Sequence, residues 1–146
     1  MYFKQAEVFT GLGHNFLQEV MAIIEKVAYE EGEYVFHAEN PATSFFILIL
    51  GQFSLLSESG ETLYTSDGIG DIFGCSSLIG HACHFISARC DMPSVVLRID
   101  VSRLEKILAA DSEIGFRFYR QLAGALGERL RFFYGASADS RMSPVG

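Results

Sequence analysis

The chain has 146 residues, 49% hydrophobic and 20% charged, with 13 phenylalanines and 6 tyrosines. That length suits one domain with a sizeable core; the composition excludes a disordered chain, and the longest apolar run, Phe45 to Leu50, is far short of the about 20 residues that span a bilayer. The net charge of −7 is uneven, with 11 acids against two bases over residues 1–88 and seven acids against nine bases over 89–146, so the acidic first part is a poor surface for a phosphate backbone.

Asn15, with Gln18 three residues later, opens a helix, and Leu17, Val20, Met21, Ile24 and Val27 follow at helical spacing. The expectation is a helix over 15–27. Between 28 and 100 the period changes to short β-rich runs: Tyr34–His37, Phe45–Leu50, Phe53–Ser57, Thr62–Thr65, His84–Cys90 and Ser94–Ile99, separated by Gly, Pro, Asn and Asp turn signals. This spacing predicts a mainly β domain, a sandwich, roll or barrel, rather than βαβ units. Phe45–Leu50 lacks alternation, as in a strand covered on both faces. The helical period then returns over 101–134. Ser102 and Glu105 form a capping-box pattern for a short helix to about Ala109. Asp111 or Ser112 caps a second helix striped by Ile114, Phe118, Leu122, Leu126 and Leu130, expected to run to about Tyr134. Gly135 is read as its stop and 135–146 as a flexible tail. The expected organisation is one domain over 1–134.

The most informative stretch is Gly70-Asp71-Ile72-Phe73-Gly74-Cys75-Ser76-Ser77-Leu78-Ile79-Gly80, followed by His84-Phe85-Ile86-Ser87-Ala88. Composition alone reads it as a turn between two strands. Glycines followed by small polar residues can also form a one-turn helix whose free N–H groups hold an anion.

The order of elements, together with Phe9-Thr10-Gly11-Leu12, Tyr29-x-x-Gly32-Glu33-x-Val35-Phe36, Ala42 to Gly51 and Gly70-Asp71-x-Phe73-Gly74, resembles a cyclic nucleotide-binding domain of the catabolite-activator and kinase-regulatory type. The resemblance covers roughly residues 7–134. It implies a jelly-roll-like β-roll with an N-terminal helix and two C-terminal helices, acting as a regulatory module and not an enzyme. The ligand-binding residues implied are Phe73, Gly74, Cys75, Ser76, Ser77, His84 and Phe85, with a cyclic nucleotide or an analogue as the ligand. Two positions depart from the family's cassette. Cys75 stands where a Glu binds the ribose hydroxyl, and His84 where an Arg pairs with the cyclic phosphate; Phe85 replaces a small residue. A thiol is a weak hydrogen-bond partner and an imidazole lacks the guanidinium fork, so weak binding of a small anionic ligand is expected. Arg89 is no substitute, because strand alternation from His84 turns it to the other face.

Alternatives remain open. The pocket is degenerate and the protein a dimeric interaction module, or Cys75, Cys83, Cys90, His81 and His84 form a redox or metal sensor. Their spacing matches no CxxC or zinc-finger framework, so no metal is assigned and the thiols read as small buried side chains. Three cysteines without a secretory pattern in Met1–Gln5 also suggest a reduced, cytoplasmic protein. His14, His37, His81 and His84 do not give the His-x-His pattern of a cupin-type enzyme. The family's dimer helix corresponds to the last one here, with Ala123, Gly124, Ala125 and Gly127 allowing close approach. A homodimer is therefore expected, with Phe118, Leu122, Leu126 and Phe133 at the seam and Arg117, Arg120, Arg129 and Arg131 at the rim. No DNA binding is expected, since the family's DNA-reading module would need more residues than follow Gly135.

Overall fold

The computed structural model describes residues 7–142. After a 3-10 turn at Glu7–Phe9 come α1 (His14–Met21), β1 (Ile24–Tyr29), β2 (Tyr34–Phe36), β3 (Ser44–Leu50), β4 (Phe53–Leu56), β5 (Thr62–Ser66) and β6 (Ile72–Phe73). A second 3-10 turn, Cys75–Ile79, precedes β7 (Ser87–Cys90), β8 (Ser94–Asp100), α2 (Val101–Ala110) and α3 (Ser112–Met142). The strands form two four-stranded antiparallel sheets, ordered β1-β8-β3-β6 and β2-β7-β4-β5. This is the expected β-roll with flanking helices.

β3 shows why its sequence does not alternate. Phe45, Ile47 and Ile49 enter a cluster with Phe9, Phe16, Val20, Leu104 and Phe118, between the first sheet and the helices. Phe46 and Leu48 point the other way, into the roll with Phe36, Phe53 and Phe73. Both faces are apolar because both are buried. Inside the roll, aromatic rings stack in sequence: Phe53 on Phe73 at 4.2 Å between centroids, Phe73 with Phe46 at 5.3 Å, and Phe46 with Phe36 at 5.7 Å.

Three local expectations are corrected. The helix expected over 15–27 starts at His14 and ends at Met21. Ile24–Tyr29 instead pairs with β8 through the register Ile24↔Ile99 to Tyr29↔Ser94, a tertiary pairing that overrides a helical spacing shared by only two further apolar residues. The cap of α2 is Asp100 rather than Ser102; its Oδ1 accepts from the Arg103 N–H at 2.9 Å. α3 passes through Gly135 to Met142. A helical glycine costs about 1 kcal/mol relative to alanine but breaks nothing by itself. Residues 1–6 and, of the expected tail, 143–146 lie outside the described residues.

Asp111 caps α3, its Oδ1 accepting from the N–H groups of Glu113 and Ile114 at 3.2 Å. The first half of this helix is fastened to the chain's beginning. Arg117 donates to the Gly11 carbonyl at 2.6 Å and Gln121 to that of Thr10 at 2.7 Å. Phe118 and Leu122 are 0% and 2% exposed, with Phe118 5.8 Å from the ring of Phe9. Further along, Arg129, Phe132 and Phe133 lie over Tyr64 of β5, and Arg129 reaches the Ile72 carbonyl of β6. No helix among the described residues is long and apolar enough to cross a membrane.

Candidate functional site

β6 is only two residues long because Gly74 turns the chain out of the sheet. Gly74 adopts φ 73° and ψ 35°, and a Cβ there would stand 2.8 Å from Phe46 and 3.0 Å from Phe36. Glycine is required on both counts. The 3-10 turn Cys75–Ile79 follows, closed by Gly80 in the same left-handed region and by the His81 N–H donating to Ser76 O at 3.0 Å. The returning chain is not a strand until Ser87. His84 is held by the loop before β3: its N–H donates to Asn40 O at 3.0 Å, and its carbonyl accepts from the Glu39 N–H at 2.8 Å.

Gly74, Cys75, Ser76, His84 and Phe85, five of the seven residues expected to bind ligand, line one cavity of about 300 Å³. Phe73 does not; it is fully buried, stacked between Phe46 and Phe53. Ser77 does not line the cavity either, and its Oγ is buried without a hydrogen-bond partner. Phe85, 56% exposed, stands at the rim.

The remaining wall is apolar. Phe36, Leu55, Leu63, Ile79 and Ile86 come from the roll, and Leu126 and Phe133 from α3. Among the described residues the one cation lining the cavity is Arg129, also from α3. Its Nη2 donates to Ile72 O at 2.5 Å, its guanidinium carbon lies 4.6 Å from the Tyr64 ring centroid, and its Nε is buried with no hydrogen-bond partner. Sequence reasoning placed Arg129 at a dimer rim and missed this role. Residues 126, 129 and 133 share one helical face, the same face whose earlier residue Leu122 is core.

His84 and Cys75 occupy the two positions where a carboxylate and a guanidinium were missing. The His84 ring lies flat on Phe36, 3.7 Å between centroids and 12° between planes, and is 5% exposed. Burial holds its pKa below the ordinary value, which disfavours the charged form, and Nδ1 has no partner. Burial pushes the Cys75 thiol up to about 12, against the opposing pull of Arg129. Such a thiol stays protonated and is a poor nucleophile and metal ligand. Cys90 is also raised, by burial first. Cys83 is exposed, and all three cysteines are free. Among the described residues no three His, Cys, Asp or Glu side chains converge as a metal set. Arg89 lies outside the cavity, though not by alternation from His84, which is off the strand; it pairs with Asp91 at 3.1 Å.

The seam residues expected on α3 are differently employed. Phe118 and Leu122 are core, with no surface left for a partner, while Leu126 and Phe133 wall the cavity. The exposed stripe is Phe116, Arg120, Ala123, Gly127, Leu130 and Tyr134, alternating steps of four and three. Gly124 and Gly127 face open space.

A sequence family described as the cyclic nucleotide-binding domain matches residues 26–111. Among solved structures, a candidate cyclic nucleotide-binding protein from Geobacter metallireducens GS-15 is similar at TM-score 0.77 and 27% identity, over 86% of this chain and 92% of its own. A cyclic nucleotide-binding domain from Methylobacillus flagellatus KT is similar at TM-score 0.81 and 15% identity, over 99% of this chain and 83% of its own. The sensor domain of the transcriptional regulator DNR from Pseudomonas aeruginosa reaches TM-score 0.73 at 21% identity, over 88% and 93%. The last two likenesses concern the fold alone. No curated protein matches the sequence.

Proposed function

The chain belongs to the cyclic nucleotide-binding domain family, and from that premise we propose that it is a non-enzymatic sensor module whose cavity beneath α3 takes a small anionic ligand, a cyclic nucleotide only weakly. The observation that carries this reading is the cavity itself, walled on one side by the turn after Gly74 and on the other by α3. A ligand there touches both the cassette and the helix that leaves the domain, so its occupancy biases the position of α3.

Weak cyclic nucleotide binding follows from the side chains. A ribose hydroxyl meets the Cys75 thiol instead of a carboxylate, and the phosphate meets a buried imidazole whose charged form is disfavoured. Losing a charge-assisted bond costs roughly 1.5–3 kcal/mol, or about one to two decades of affinity. Calorimetry with cyclic AMP should give a Kd in the micromolar range or weaker; a nanomolar Kd overturns this part.

The same reading includes a homodimer through α3, along the exposed stripe from Phe116 to Tyr134 with small residues at the crossing. Light scattering tests it, and a monomer at high micromolar concentration would remove it. The module acts in the cytoplasm, where free thiols stay reduced, and its acidic roll gives it no DNA affinity of its own. A redox role for Cys75 and Cys90 finds least support, since burial raises the pKa of both thiols.

A further inference from the structure

We propose that the cavity beneath α3 selects a small monoanion with an apolar body, an aliphatic or aromatic carboxylate, whose charged group is received by Arg129. This rests on the sensor reading above and names the class of ligand. A volume of about 300 Å³ is at the small end of ligand sites. Its wall is mostly phenylalanine, leucine and isoleucine side chains, and among the described residues no carboxylate lines it. A ribose and a cyclic phosphate would lose their water here against few polar partners, and unpaired polar groups are costly to bury. An alkyl or aryl body has no such cost and gains from every wall contact.

The charge comes from α3. Among the described residues Arg129 is the sole cation of the lining, in a chain of net charge −7. Two of its nitrogens differ in state: Nη2 is engaged by Ile72 O, whereas Nε is buried with nothing to donate to. A buried donor without an acceptor is destabilising, and a small turn of the Arg129 side chain toward the cavity would give it a carboxylate to donate to. His84, which also lines the cavity, carries a second buried atom without a partner, Nδ1. The rim has the chemistry of the wall, with Ile79 and Phe85 both more than half exposed. A ligand of this kind therefore joins the roll to α3 by its charge as well as by its bulk.

Calorimetry on the full chain with octanoate, 1-octanol and cyclic AMP tests the proposal. Octanoate should bind at least about tenfold tighter than 1-octanol, the worth of one charge-assisted hydrogen bond, and Arg129→Met should erase that preference while keeping the apolar contacts. Arg129→Lys, which retains the charge without the fork, should keep part of it, and the wild-type comparison stands alone if the Met variant does not fold. Equal affinity for octanoate and 1-octanol, or a preference unchanged in a folded Arg129→Met, overturns the assignment of Arg129. Binding of cyclic AMP without octanoate overturns the ligand class yet leaves the sensor reading standing. Binding of none of the three overturns both.

Discussion

Gly74→Ala puts the geometry of the cassette to a quantitative test. The residue sits at φ 73°, where an alanine pays about 1–2 kcal/mol. The new Cβ would also lie 2.8 Å from Phe46 Cδ2 and 3.0 Å from Phe36 Cε2. Neither ring can withdraw freely, because Phe46 is stacked on Phe73 and Phe36 on His84. Overpacking of this kind adds about 1–3 kcal/mol, while the alanine's smaller unfolded-state entropy returns about 0.4–1 kcal/mol. The net expectation is a loss of roughly 2–4 kcal/mol. Urea denaturation followed by circular dichroism reads this as a lower midpoint with an unchanged slope. The displaced Phe36 should also loosen the His84 ring that it supports. A loss below about 1 kcal/mol would mean that the turn is not where the backbone places it, and the reasoning would fail.

Three other outcomes follow from the same side chains. Cys75→Glu, His84→Arg and Phe85→Ala together supply the carboxylate, the guanidinium and the space that the family's cassette has; cyclic AMP affinity should rise by roughly one to two decades in calorimetry, and a folded triple variant that binds no better shows the cassette alignment to be wrong. Because burial lowers the His84 pKa, the unfolded chain binds a proton more readily than the folded one below about pH 6.5, and stability falls as pH drops through that window; melting from pH 7.5 to 5.5 should show this fall, reduced in His84→Phe, and an identical pH slope in the variant excludes His84 as its source. On α3, Leu130→Asp should leave the fold intact, since the residue is 49% exposed, but abolish the proposed dimer in light scattering, whereas Gly124→Ala, with open space for its Cβ, should stiffen the helix by up to about 1 kcal/mol; a Leu130→Asp chain that is dimeric places the interface elsewhere.

The fold was legible where one residue's pattern had a single physical reading. Phe45–Leu50 has no polar alternate, and β3 is indeed buried on both faces. Asp111 and the stripe Ile114, Phe118 and Leu122 located the start and the core face of α3. Legibility ended where a partner distant in sequence decides. Ile24–Tyr29 is a strand because β8 pairs with it, and nothing local announces that partner. His84 is drawn off the expected strand by hydrogen bonds to Glu39 and Asn40, more than forty residues earlier. The cassette side of the cavity could be named from Gly74 to Ser76, whereas its α3 side could not. Leu126, Arg129 and Phe133 differ from the exposed Phe116 and Leu130 only in which face meets the roll. An arginine on a helix reads as solvated until a tyrosine ring and a carbonyl are found beneath it.

The central claim, that ligand is received between the cassette turn and α3, is tested most directly by amide chemical-shift mapping during titration with octanoate and with cyclic AMP. The account predicts shifts at Gly74, Cys75 and Ser76 together with Leu126, Phe133 and the Arg129 side-chain Nε–H, at concentrations that leave the outer face of α3 around Ala123 and Gly127 unmoved. Shifts confined to other surfaces, or none with either compound, would contradict it.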